Sequence, residues 1–210
     1  MGDATPICVD RSWEPTAAFA SSNRTELTGV TLMADRILQA ADRLFYRKGI
    51  RAVGVDAVAA KAGVSKRSLY DTFPSKDALV AAYLRQRMLP LPESTEPPAQ
   101  QVLALFDQLQ QRFAKGDFRG CAFVNAVTEL AEDCTTARAI AIQYKDARRH
   151  HIASLLAAAG TADADTLAAQ IALLIEGAIA TMLVTNDASV AGLARDAAAI
   201  LMQAAGRLPT

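Results

Sequence analysis

Residues 61–73 read KAGVSKRSLYDTF, and the way this stretch divides decides the fold. Upstream, VDAVAAKA (55–62) places Val55, Val58 and Ala59 on one side of a short helix, and Gly63 supplies its stop. Gly63 suits a left-handed turn, Val64 fills the space beneath it, and Ser65 caps a second short helix over 66–73. Two short helices joined by a tight glycine turn form a helix-turn-helix. In such a unit the second helix enters the major groove, with its N-terminal residues toward the base edges. Lys66 and Arg67 occupy that first turn, and Arg67 has the fork that reads guanine. Leu69 and Phe73, four residues apart, anchor the helix inward while Tyr70 faces out. Lys76 opens the next helix, where its charge and the free N–H groups suit a phosphate.

Working outward, Ile37, Leu38, Ala41, Leu44 and Phe45 recur at helical steps over 34–48, ending at Gly49. Ser75 caps a further helix carrying Leu79, Tyr83 and Leu84. The proline-rich LPLPESTEPPAQ (89–100) marks a boundary. Beyond it five helical stretches are expected, near 99–115, 120–132, 136–159, 163–185 and 188–205, and no segment reads as a strand. The fold class is therefore all-α. Residues 1–32 show no periodicity and read as a disordered extension, with Met33 an alternative natural start. A head over 33–80 and a larger helical domain over 81–210 complete the division.

The chain has 210 residues and no net charge, yet residues 33–80 hold nine Lys/Arg against five Asp/Glu. A basic region on a mildly acidic remainder points to a localised anionic partner. Three widely spaced cysteines, Cys8, Cys121 and Cys134, suggest neither a disulfide framework nor a zinc site, and the reading is a reducing, cytoplasmic compartment. An oxidant-sensing role for Cys121 or Cys134 stands beside the plainer one of small buried side chains. Leu167 to Val184 is apolar enough to suggest a membrane span, but Gln170 and Glu176 inside it favour a buried helix of an oligomer. No metal cluster, cofactor motif or catalytic constellation stands out, so an enzyme has no candidate site.

The segment from Ile37 to Leu84 resembles the DNA-binding head of the tetracycline-repressor (TetR) family. The shared pattern runs through Ala41–Gly49, Val55–Phe73 and Pro74–Leu79 in order and at the right separations, and FRGCAFVNA (118–126) is similar to a segment found in a subset of members. The resemblance implies a recognition surface of Ser65, Lys66, Arg67, Ser68 and Tyr70, with Lys76 on a phosphate. Many members carry glycine at the place of Arg67 and histidine or tyrosine at that of Asp71, so base specificity does not transfer.

It also implies a homodimer through a four-helix bundle of the last two long helices, reading a palindromic operator in double-stranded DNA. Their nearly all-round apolar character agrees with that. Leu173, Ala180, Leu183, Val184, Leu193, Ala197, Ile200 and Leu201 are the interface candidates. The other helices would enclose a small-molecule pocket, with Phe106, Leu109, Phe113, Phe123, Val127 and Tyr144 as wall and Asn125, Glu129 and Glu176 as polar groups. Glu176, alone in an apolar run, suits a cationic effector or an arginine across the dimer. The expected function is a ligand-responsive repressor; a DNA-bound adaptor that recruits a protein without any effector is the alternative.

Overall fold

The computed structural model describes residues 24–88, 94–130 and 135–206. Among them are helices α1 (Arg24–Lys48), α2 (Val55–Ala62), α3 (Lys66–Thr72), α4 (Lys76–Gln86), α5 (Pro98–Phe113), α6 (Ala122–Leu130), α7 (Thr135–Ala158), α8 (Ala164–Thr185) and α9 (Val190–Ala205), and no strand. The all-α reading of the sequence is what the chain adopts. The first helix begins ten residues upstream of Ala34, so residues 24–32 are helical rather than part of an irregular extension. Leu27, Val30, Ala34 and Ile37 continue the helical spacing backwards, but Gly29 and three threonines weaken the local helix signal. The expectation of disorder over 1–23, and residues 89–93 of the proline-rich boundary, lie outside the described residues.

The turn forms as its residues require. Gly63 takes φ +67° at the end of α2, and Val64 N–H donates to the Ala59 carbonyl at 3.0 Å. With the Gly63 N–H bond to the Ala60 carbonyl at 3.2 Å, this cap depends on a left-handed residue that has no steric cost for glycine. Ser65 accepts from Ser68 N–H at 3.0 Å to open α3, and Ser75 accepts from Ala78 N–H at 3.0 Å to open α4.

Leu69 is fully buried under α3, beside Ile37, Ala41, Val58 and Leu79. This core does not stop at residue 80. It runs on through Tyr83 and Leu84 to Phe123 and Ala126 of α6 and Ile140 of α7. Phe45 meets Tyr83 edge-on at 5.5 Å within it. The expected boundary at residue 80 thus falls inside α4, which packs on both α1 and α7. A second core joins α5, α7, α8 and α9 around Phe106, Ile152, Leu156, Ile171 and Ile175.

By length and composition α8 is apolar enough to cross a membrane. It packs here between α7 and α9, burying Leu167, Ala168, Ile171, Ile175, Ala178 and Met182. Its opposite face stays apolar and uncovered.

Candidate functional site

The surface of α3 divides into two parts. Lys66, Arg67 and Tyr70 are exposed, while Ser65 and Ser68 bond each other through their hydroxyls at 2.8 Å and serve the cap. Lys66 reaches back to Asp56 of α2 at 2.9 Å, and this hydrogen bond and charge raise its pKa above the ordinary lysine value. Arg67 makes no ion pair among the described residues, and neither does Asp71 one turn behind it. Asp71 is thus neutralised by neither Lys66 nor Arg67. Lys76 stands half-buried in the first turn of α4.

The turn has a brace that sequence reading missed. The Arg36 guanidinium of α1 donates to the Ala62 carbonyl at 2.7 Å and to the Gly63 carbonyl at 3.1 Å. Charged donors on helix-end carbonyls hold the angle between α2 and α3 from outside the motif. Only the 26-residue separation in sequence hides this contact.

The resemblance noted in the sequence has a structural counterpart. The Streptomyces avermitilis TetR-type transcriptional regulator superimposes with a TM-score of 0.74 at 33% identity, over 83% of this chain and 98% of that one. This chain belongs to the TetR family. Residues 37–83 match the family model for bacterial regulatory proteins of the tetR family, and residues 98–195 match the LmrA/YxaF-like transcriptional regulator C-terminal domain. A TetR-family regulator from Streptomyces coelicolor gives a TM-score of 0.76 at 26% identity, over 84% of this chain and 97% of that one. Two uncharacterized HTH-type transcriptional regulators of Mycobacterium tuberculosis are 34% identical over 100 residues. That match spans 44% of this chain and 47%, about half, of each relative. The family is one of transcription regulators, not enzymes.

Below the head of this TetR-family chain lies an open cavity of about 600 Å³ between α1, α4, α5, α6, α7 and α8. Leu109, Phe123, Tyr144 and Glu176 line it, as the sequence suggests, and Phe123 stacks on Tyr144 with ring centres 3.9 Å apart. Phe106 and Phe113 do not line it: they are buried in the cores, and α5 turns Leu105, Leu109 and Arg112 to the cavity instead. Those positions stand roughly a quarter-turn round from the two phenylalanines at 100° per residue. Val127 lines a smaller groove on the outer side of α6 and α7. Asn125 is also elsewhere, donating to the Arg119 carbonyl at 2.7 Å and pinning the loop before α6.

Glu129 is placed differently from its sequence reading. Its carboxylate accepts from Arg51 N–H at 3.1 Å and lies against Gly49, so it ties α6 to the end of α1. Gly49 has φ +90°, and a Cβ there would stand 2.9 Å from a Glu129 oxygen. Glu176 is not alone either, because its carboxylate contacts the Lys145 ammonium.

One wall of the cavity is the head itself. Arg87 bonds Asp42 of α1 at 2.5 Å and lies over the Tyr46 ring at 4.1 Å. Burial works against the Arg87 charge, but the Asp42 bond and Tyr83 outweigh it and raise its pKa. Tyr83, buried beside it, has its phenol pushed far above the ordinary value by desolvation.

On α8 and α9, Leu173, Val184, Leu193 and Ile200 are 66–87% exposed, and Ala180 is exposed with them. Ala197 and Leu201 are half-buried on the same two helices. Leu183 is half-exposed, and part of it is already used: its Cδ1 lies 2.8 Å from where a Cβ on Gly120 would stand.

Proposed function

We propose that this TetR-family regulator is a ligand-responsive repressor that binds a near-palindromic operator as a homodimer in the cytoplasm. The observation that carries the DNA reading is the exposed, unpaired Arg67 in the first turn of a helix capped by Ser65 and braced by Arg36. A guanidinium so placed offers two donors to guanine, worth ~1–3 kcal/mol of discrimination. Tyr70 faces the same way, Lys66 is released to a phosphate when Asp56 is displaced, and Lys76 meets the backbone.

The uncovered apolar face of α8 and α9 supports the dimer. Five or more exposed aliphatic side chains on adjacent helices form a patch that isologous pairing covers most economically. Two heads would then read half-sites ~34 Å apart. The cavity beside Asp42 and Arg87 supports a small-molecule effector over the adaptor reading, because its wall includes α1 of the head. A ligand preferring one arrangement of that wall shifts the heads off their spacing; moving the balance from 1:99 to 99:1 needs ~5.5 kcal/mol of preference.

Selection of bound sequences from a random duplex pool, followed by mobility-shift titration, tests the reading. Enrichment of a two-fold symmetric site is the expected result. A pool that emerges unenriched, or Arg67→Ala binding with unchanged base preference, would overturn it.

A further inference from the structure

We infer that the cavity takes an organic anion, an acidic group carried on an apolar or aromatic body, an inference that rests on its reading as the effector site. The lining brings six cations together with two carboxylates in a chain whose net charge is zero. Both carboxylates are already engaged, Asp42 by Arg87 and Glu176 by Lys145. Arg43, Arg112, Lys115 and Arg148 are left without an ion pair among the described residues. A cationic ligand would therefore have to take either carboxylate from the cation that already holds it, Asp42 from Arg87 or Glu176 from Lys145.

Four cations converging on one cleft raise the local anion concentration, because low-dielectric walls focus their field. Arg148 marks where the acid sits deepest. It is half-buried, donates to the Tyr144 hydroxyl at 2.8 Å and keeps further N–H groups for a ligand oxygen. Its charge also adds to burial in holding the pKa of His151 below the usual value. Arg43, Arg112 and Lys115 stand exposed round the mouth. Beside them the lining is apolar at Leu105, Leu109, Phe118, Ile175, Ile179 and the Phe123–Tyr144 stack. A planar ring against that stack, with its acid toward Arg148, satisfies both halves of the site.

The test compares three probes by calorimetric titration of the full chain. 1-Anilinonaphthalene-8-sulfonate carries the ring system and a sulfonate, N-phenyl-1-naphthylamine the same rings without charge, and tetraphenylphosphonium an aromatic cation. The sulfonate is expected to bind roughly tenfold tighter than its neutral analogue, with affinity falling as salt rises from ~0.05 to ~0.5 M. An Arg112→Gln/Lys115→Gln double variant, altering only exposed side chains, should keep its thermal midpoint and lose roughly fivefold for the sulfonate alone. Arg148→Gln should lose more for the sulfonate and nothing for the neutral probe. Equal binding of the charged and neutral probes, or tighter binding of the phosphonium, would overturn the anion assignment. If the phosphonium also released operator DNA, the ligand-responsive reading would survive that loss. Failure of every probe to bind would overturn the cavity as a ligand site altogether.

Discussion

The Tyr46 hydroxyl donates to the Gly120 carbonyl at 3.0 Å and accepts from Arg119 N–H at 2.9 Å, joining α1 of the head to the loop before α6. One phenol thus closes two backbone groups across 74 residues of sequence, at the edge of the cavity. Tyr46→Phe keeps the ring under Arg87 and removes both bonds. Losing them is expected to cost ~1–2 kcal/mol, seen as a lower midpoint in urea unfolding. DNA release by effector should weaken more than DNA binding itself. An unchanged release curve would show that the joint does not transmit.

Gly120 itself is constrained twice. It has φ +82°, and a Cβ there would meet Leu183 of α8. Gly120→Ala should destabilise the chain by ~1–2 kcal/mol through the backbone strain alone. Adding Leu183→Ala relieves the contact but not the strain, so the double variant should recover only part of the loss. Full recovery in thermal unfolding would mean the contact was the whole cost.

In the head, Asp56→Asn frees Lys66 and removes the negative charge beside it. Its pKa, raised by Asp56, should return toward the ordinary lysine value. Operator affinity is expected to rise, with a steeper dependence on salt, since one more cation releases counterions. Arg36→Ala should do the opposite without touching DNA, because the brace on Ala62 and Gly63 is lost. Mobility-shift titrations at two salt concentrations separate the two effects.

At the apolar face, Leu193→Glu places a charge where 68% of the side chain is exposed in the single chain. The protomer should fold with an unaltered circular dichroism spectrum and sediment as a monomer, and operator binding should weaken strongly. A variant that still sediments as a dimer would move the interface away from α9.

His151 carries the clearest pH dependence. Burial, and then Arg148, hold its pKa below 6.5, so the unfolded chain binds the proton more readily than the folded one. Stability is therefore expected to be full above the unfolded pKa and to fall as the pH drops through that value toward the folded one. His151→Gln should flatten the unfolding midpoint between pH 7 and pH 5 (roughly the span of the histidine titration).

What the sequence by itself determined was local. Gly63, Ser65 and Ser75 set helix ends through bonds to residues three to five positions away, and Leu69 and Phe73 declared an inward face by spacing alone. Such signals need no partner, which is why the helix-turn-helix was legible from the chain. The apolar surplus on α8 and α9 was legible for the same reason.

Tertiary structure decided what depends on distant groups. It gave Arg36 to the turn, Glu129 to the end of α1 and Lys145 to Glu176, each across 26 to 78 residues. It also sorted the aromatic residues of α5, because an apolar helix face does not say which of its stripes meets a core and which a cavity. Phe106 and Phe113 went to the core and Arg112 to the cavity through a rotation of α5 that only its packing on α7 and α9 could fix. Charge pairing between helices is a property of that arrangement, and with it the sign of the cavity.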